Sequence, residues 1–192
     1  MFITTKKPIL TEQELFDGCL SGNKTAQKAF FDRFSPKMFG VCKRYVKQRE
    51  DAEDMMIEGL YKALANIAKF KQEGSFEGWV RRIVVNECLM FLRKQSSFNM
   101  VVVEMNEQHN AILDDEITIA EQLAGQDILA IMDKLPTGYR TVFNLYVIEG
   151  YKHREIADLL NISINTSKSQ LILAKEKLKQ ILVKENIIKQ VG

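Results

Sequence analysis

An all-α fold of two small helical domains joined by an acidic linker, the second domain a helix-turn-helix, is what this 192-residue sequence predicts. Three observations carry that reading. Apolar residues recur at helical spacing between dense helix start and stop signals, and the charge is divided unevenly along the chain. In addition, HREIADLLNISINTSKSQ, residues 153–170, has the pattern of two helices meeting at a tight turn.

The charge division sets the domain boundaries. Residues 1–95 carry a net +5, residues 96–124 a net −6 and residues 125–192 a net +3, which together give the formal +2 of the whole chain. The middle stretch, SSFNMVVVEMNEQHNAILDDEITIAEQLA, holds no Lys or Arg but has Glu104, Glu107, Asp114, Asp115, Glu116 and Glu121. It lacks the sustained periodicity of its flanks and reads as a linker, its VVV run being either a short strand or a groove-binding piece.

In the N-terminal domain, Thr11 with Glu14 forms a capping-box pattern, so a helix starts there. Asn23 can cap a second helix carrying Ala26, Ala29, Phe30 and Phe34, and Ser35 followed by Pro36 marks a further start. A fourth helix begins at REDAED with Asp51 as N-cap, and its stripe Met56, Gly59, Leu60, Ala63 and Ile67 points inward. Asp54, Glu58 and Tyr61 then share the opposite face. A solvated acidic face explains them, and so does a partner surface.

Gly74 and Ser75 break and recap the chain before FEGWVRRIVVNECLMFLRKQ. Val80, Ile83, Val84 and Leu92 can pack inward, while Trp79, Arg82, Asn86, Arg93 and Lys94 share a polar side. A lone Trp is usually core. An aromatic ring beside Arg and Asn on a basic helix also suits single-stranded nucleic acid, because the ring stacks on bases and the guanidinium holds phosphate.

In the C-terminal domain, Pro136 opens a helix with Tyr139, Val142, Phe143, Leu145 and Tyr146, and Gly150 closes it. Ile156, Ala157 and Leu160 make an apolar patch, Ile162 sits in the turn, and Ser163 caps the last helix. Its predicted buried side is Ile164, Ser167, Leu171, Ala174 and Leu178. Asn165, Thr166, Ser169, Gln170, Ile172 and Leu173 are then placed on the outer face, with Lys168 at its flank. Such a helix can reach base edges in a major groove, although a plain helical hairpin has the same pattern.

Several function classes are excluded by what the sequence lacks. It has no nucleophile paired with a base, no Gly-rich phosphate loop and no metal-ligand spacing, so an enzyme, a cofactor and a metal site are not expected. Cys19, Cys42 and Cys88 are widely spaced in apolar surroundings and read as buried thiols, and His109 and His153 as structural histidines. No apolar run approaches the roughly 20 residues of a membrane span, and MFITTKKPILTEQELF lacks the apolar centre of a secretory signal. A cytoplasmic protein without membrane insertion is expected.

Five stretches in register resemble the extracytoplasmic-function sigma factors, the compact two-domain members of the bacterial sigma factor family. They are AFFDRFSPKMFGVCKRYV, DAED followed by Glu58, GSFEGWVRRIVVNE, LPTGYRTVFNLYVIEGYKHREIADLLNIS and TSKSQLILAKEKL, which together span nearly the whole chain. The resemblance implies that Asp51, Asp54, Glu58 and Tyr61 bind core RNA polymerase at the clamp helices of β′. It implies that Trp79, Arg82, Asn86, Arg93 and Lys94 read and help open the −10 element. Asn165, Thr166, Lys168, Ser169, Gln170 and Leu173 would read the −35 element, and the linker would thread toward the RNA exit path.

The partners so implied are core polymerase through β′ and β, promoter DNA and an anti-sigma factor. The rival is a free-standing helix-turn-helix regulator, which would bind its operator unaided. A low net charge suits the first reading, because the polymerase supplies much of the DNA affinity. The chain departs from the family pattern at Ile57, Ile164, Asn165, Ser167, Gln170 and Leu173. Where Gln170 stands members often have Arg, and Gln pairs best with adenine where Arg prefers guanine.

Overall fold

The computed structural model describes residues 10–95 and 128–185. Among the described residues there are eight α-helices and no strand, so the all-α prediction holds. The predicted linker 96–124 lies outside the described residues, as does His109. The chain divides into two compact units, Met1–Cys42 with Gln48–Cys88 and Lys43–Lys47 with Leu89–Gly192.

The first unit is built on α1 (Glu12–Leu20), most of α2 (Lys24–Tyr45), α3 (Arg49–Ala65), a 3₁₀ turn (Ile67–Lys69) and most of α4 (Phe76–Lys94), the last residues of α2 and α4 belonging to the second unit. Local chemistry fixes most of their starts. Thr11 Oγ1 accepts from the Glu14 N–H at 3.2 Å while Glu14 Oε2 accepts from the Thr11 N–H at 2.8 Å, which satisfies donors that a helix start leaves open. Asn23 Oδ1 takes the N–H groups of Thr25 and Ala26. Ser75 Oγ accepts from Gly78 at 3.2 Å, and Glu12 of α1 accepts from the Phe76 N–H at 3.1 Å, so α4 is capped both by its own neighbour and across the unit.

Two predicted starts are corrected. Ser35 and Pro36 do not open a helix, because α2 runs through them with Pro36 in its interior. Proline deletes one backbone donor, but Phe30, Phe34, Met38 and Val41 form an almost fully buried stripe on both sides of it. Ser35 Oγ also donates back to the Phe31 carbonyl at 2.6 Å. The DAED helix is consequently the third, not the fourth. It begins at Arg49 with Gln48 as N-cap, which puts Asp51 in the first turn beside Glu50, where negative charge meets the positive helix end.

An aromatic cluster holds this unit together. Phe76 lies edge-on to Phe16 and Phe34 at 5.7 Å each, and Phe30 meets Phe34 at 4.9 Å. Edge-to-face rings add to the apolar burial. Cys19, Cys42 and Cys88 are free and buried, as predicted. Gly59 lets α3 approach α4 so closely that an added Cβ would stand 2.9 Å from the Val84 Cα.

The second unit holds α5 (Ile128–Met132), α6 (Thr137–Phe143), a π-helical turn (Asn144–Ile148), α7 (His153–Leu160) and α8 (Ile164–Lys184). Gly150 at φ 76° ends the π turn, and Asn161 at φ 53° ends α7, a left-handed position that Asn tolerates better than most residues. Ser163 Oγ accepts from the Thr166 N–H at 2.9 Å and starts α8 as predicted. Val142, Ile156, Leu160, Leu171, Ala174 and Leu178 form the core.

A buried arginine belongs to the same unit. Arg140 donates to Asp133 Oδ1 and to the Tyr45 carbonyl, each at 2.9 Å. Asn144 donates to the Arg44 carbonyl at 2.7 Å, and Arg44 pairs with Glu149 at 3.0 Å. Burial pulls the Arg140 guanidinium below its usual range, with Asp133 opposing the shift.

Candidate partner and nucleic-acid interface

On α3, helical periodicity separates the two faces cleanly. Ala52, Gly59, Leu60 and Ala63 are buried, and Asp54, Ile57, Glu58 and Tyr61 are exposed on the other side, with Asp51 half-buried in the first turn. Ile57 is 54% and Tyr61 63% exposed. Two large side chains with apolar bodies one turn apart, with two carboxylates beside them, make a surface with both apolar area and charge. Sequence reasoning placed the acids and Tyr61 there but did not count Ile57 as part of the face.

Glu58 also has a neighbour that the sequence did not reveal. Lys62 Nζ lies 3.3 Å from Glu58 Oε1, one turn away, and 2.6 Å from Glu87 Oε2 of α4. The hydrogen bond to Glu87 is the main cause that holds the Lys62 ammonium above its usual range; burial opposes it and Glu58 adds to it. The i, i+4 spacing of Glu58 and Lys62 was legible, but the pairing with α4 needs the fold.

On α4, Val80, Val84 and Leu92 are buried and Ile83 is half-buried. Of the predicted polar side, Arg82, Arg93 and Lys94 are exposed, and Trp79 and Asn86 are half-buried. The indole is 5.5 Å from the Phe70 ring and stacks on Phe76 at 6.0 Å with 15° between planes. Trp79 thus extends the aromatic cluster while remaining half-buried.

On α8 the predicted two-faced pattern is corrected. Asn165 is exposed, and Lys168 and Leu173 are half-buried, but Thr166, Ser169, Gln170 and Ile172 are buried, Gln170 at 0% exposure. Ile164, predicted buried, is 44% exposed. The cause lies in the packing. A single inward stripe assumes one neighbour, whereas α8 packs against α5, α6 and α7, and between Thr166 and Lys175 only Lys168 and Leu173 are not buried. Short side chains also turn back onto the helix: Thr166 Oγ1 bonds Ser163 Oγ at 2.8 Å, and Ser169 Oγ donates to the Thr166 carbonyl at 3.0 Å. His153 is structural as expected, its ring 2.9 Å from Ser167 Oγ and stacked on Tyr146 at 4.5 Å.

Two sigma-70 profiles match the chain, region 2 over residues 30–98 and region 4 over residues 125–178. The first match contains the exposed face of α3 and the polar side of α4, and the second contains the turn and helix of residues 153–178. The chain belongs to the extracytoplasmic-function sigma factors. It is a transcription initiation factor that directs RNA polymerase to promoters, not a free-standing regulator. It is 27% identical to the ECF RNA polymerase sigma-E factor of Haemophilus influenzae, over 87% of this chain and 93% of that protein. It is 29% identical to the RNA polymerase sigma factor SigV of Bacillus subtilis, over 74% of this chain and 82% of that protein. A solved structure of CnrH in complex with the cytosolic domain of CnrY is similar at 21% identity and a TM-score of 0.49, over 89% of this chain and 96% of that one. Among the described residues no helix is long and apolar enough to cross a membrane.

Proposed function

We propose that this sigma factor divides its work among three helical faces. The exposed face of α3, with Asp51, Asp54, Glu58 and Tyr61, docks on the clamp helices of polymerase β′. The polar side of α4, with Trp79, Arg82, Asn86, Arg93 and Lys94, reads and helps open the −10 element. The N-terminal half of α8 serves the −35 element through Asn165, Lys168 and Leu173, with the buried Thr166, Ser169 and Gln170 behind them. Residues 1–95 and 125–192 act as the two DNA-facing domains, and the acidic stretch 96–124 tethers them toward the RNA exit path. The reading includes contacts to β, control by an anti-sigma factor and a cytoplasmic location.

The observation that carries this reading is the mixed apolar and acidic face of α3. Ile57 and Tyr61 are among the large apolar or aromatic residues most open to solvent, and they share the exposed side of α3 with Asp54 and Glu58. A DNA-binding surface would not place carboxylates there, because phosphate repels them. A protein surface that offers cations beside apolar area would fit. Charge pairs that become buried across an interface are worth several kcal/mol, and pairs at its rim little.

Replacing Asp54 and Glu58 together by Lys leaves the buried stripe of α3 untouched, so helicity should persist. Affinity for core polymerase should fall on the order of tenfold or more, since each 1.4 kcal/mol is a factor of ten. Fluorescence titration against core enzyme measures it, with circular dichroism as the folding control. Undiminished affinity in a chain of native helicity refutes the assignment of this face.

A further inference from the structure

We infer that Lys62 is a built-in counter-ion for Glu58, which core polymerase must displace on docking, and that Glu87 of α4 retains the released ammonium. The inference rests on the reading that the α3 face docks on polymerase.

The geometry of the triad gives the two ion pairs unequal strength. The pair with Glu87 is short, at 2.6 Å, and its carboxylate side chain is only 10% exposed. The pair with Glu58 is longer, at 3.3 Å, and Glu58 is 49% exposed. Coulomb attraction grows as water is excluded, so the Glu87 pair dominates and the Glu58 pair is weak and screened by salt. Lys62 is therefore anchored from behind, by α4, while it leans on a carboxylate that faces outward.

Consider a partner that brings Lys or Arg to the acidic face. Its cation competes with Lys62 for Glu58, and Lys62 also repels it. A lysine without a second acceptor would resist, because its ammonium would be left partly buried and unpaired. Glu87 removes that obstacle: when Glu58 turns to the incoming cation, Lys62 keeps its stronger partner. The arrangement weakens docking by the free energy of one exposed ion pair. It also links the docking helix to α4, since the ammonium that is given up on α3 is held by the residue next to Asn86.

The full-length chain is titrated with core polymerase in four forms beside the wild type: Glu58→Gln, Lys62→Met, the two combined, and Lys62→Met with Glu87→Gln. Glu58→Gln should weaken binding, which tests the docking face itself. Lys62→Met should tighten binding about two- to five-fold, the range expected for one exposed ion pair. The tightening should shrink to near nothing in the Glu58→Gln background. Lys62→Met leaves the buried Glu87 without its cation and should lower the melting temperature, and the Lys62→Met, Glu87→Gln form should recover stability while still binding tighter.

A merely structural lysine would lower affinity and stability together. If Glu58→Gln weakens binding but Lys62→Met weakens it too or leaves it unchanged, and the form with Glu87→Gln does likewise, the counter-ion role is overturned and the docking face stands. If the tightening persists in full without Glu58, the effect is bulk charge and the role is overturned. If Glu58→Gln leaves binding unaltered, Glu58 is not in the interface and both readings fall.

Discussion

Gly59→Ala and Gly40→Ala make the same chemical change on two helices of one unit, and only Gly40→Ala should raise stability. Alanine gains about 0.8–1.0 kcal/mol over glycine in a helix interior. At Gly40 of α2 an added Cβ meets nothing within 4 Å, so that gain should appear almost whole. At Gly59 of α3 the Cβ would lie 2.8 Å from Val84 Cγ2, 2.9 Å from Val84 Cα and 3.2 Å from Val84 Cβ. A rotamer change can clear the Cγ2 contact, but the Cα belongs to the α4 backbone. Restoring ordinary carbon–carbon contact requires the two helices to separate by about 0.6 Å or more. Overpacking of that kind costs about 1–3 kcal/mol.

Because the propensity gain is common to both variants, it cancels when they are compared, and the gap between them reports the helix contact alone. That gap should be about 1–3 kcal/mol, with Gly40→Ala above the wild type and Gly59→Ala below Gly40→Ala by the full amount. Chemical denaturation followed by circular dichroism measures it on the intact chain. Equal stabilities for the two variants would refute the claim that close approach at Gly59 limits the packing of α3 on α4.

Two further outcomes follow from single side chains. Trp79→Ala should lose about 2 kcal/mol of stability, less than a fully buried ring would, because the indole is only half-buried on Phe70 and Phe76. It should slow open-complex formation on duplex promoter more than on a pre-melted template, and Trp79→Phe should restore stability more than melting; equal losses on both templates in permanganate footprinting would leave the ring a core residue only. Burial pushes the Cys19 thiol up to about 11 from 9.0. A folded-state pKa above the unfolded one gives stability that is complete below pH 9 and is lost as pH rises through about 11, so Cys19→Ala should lose less stability than the wild type between pH 8 and pH 11 in denaturant titrations.

What could be read from the sequence was what the chain decides locally. The caps at Thr11, Asn23, Ser75 and Ser163 depend on residues within three positions of each other, and all four form. The exposed acids of α3 and the buried valines of α4 follow from one period of 3.6 residues. Where a distant partner decides, the sequence gives no sign. Pro36 should have broken α2, and a stripe of buried side chains on both sides of it overrides the local rule. Arg140 is a residue type usually found at the surface, and it is buried where Asp133 and the Tyr45 carbonyl accept from it, beside Asn144 on the Arg44 carbonyl. Lys62 carries a legible i, i+4 partner and a decisive one 25 positions away that only folding brings near.

Gln170 shows the same limit at the point where it matters most for DNA reading. From sequence alone, Gln170→Arg is a change of base preference, adenine to guanine, on an outward helix face. In the folded chain Gln170 has no exposure at all, and Ser169 and Thr166 are nearly as covered. A guanidinium placed there is bulkier than the amide it replaces and would be taken out of water, which is costly in a packed interior. With α8 in this environment the substitution acts on stability before it can act on specificity. Of the six residues assigned to the −35 element, only Asn165 is open to solvent, with Lys168 and Leu173 partly so. Those three can meet a groove without any rearrangement, and only Lys168 among them carries charge for a phosphate. A chain of net charge +2 with so little of its reading helix open has little means of holding duplex DNA by itself. The weak charge and the covered helix thus agree with a subunit whose promoter affinity comes largely from the polymerase it joins.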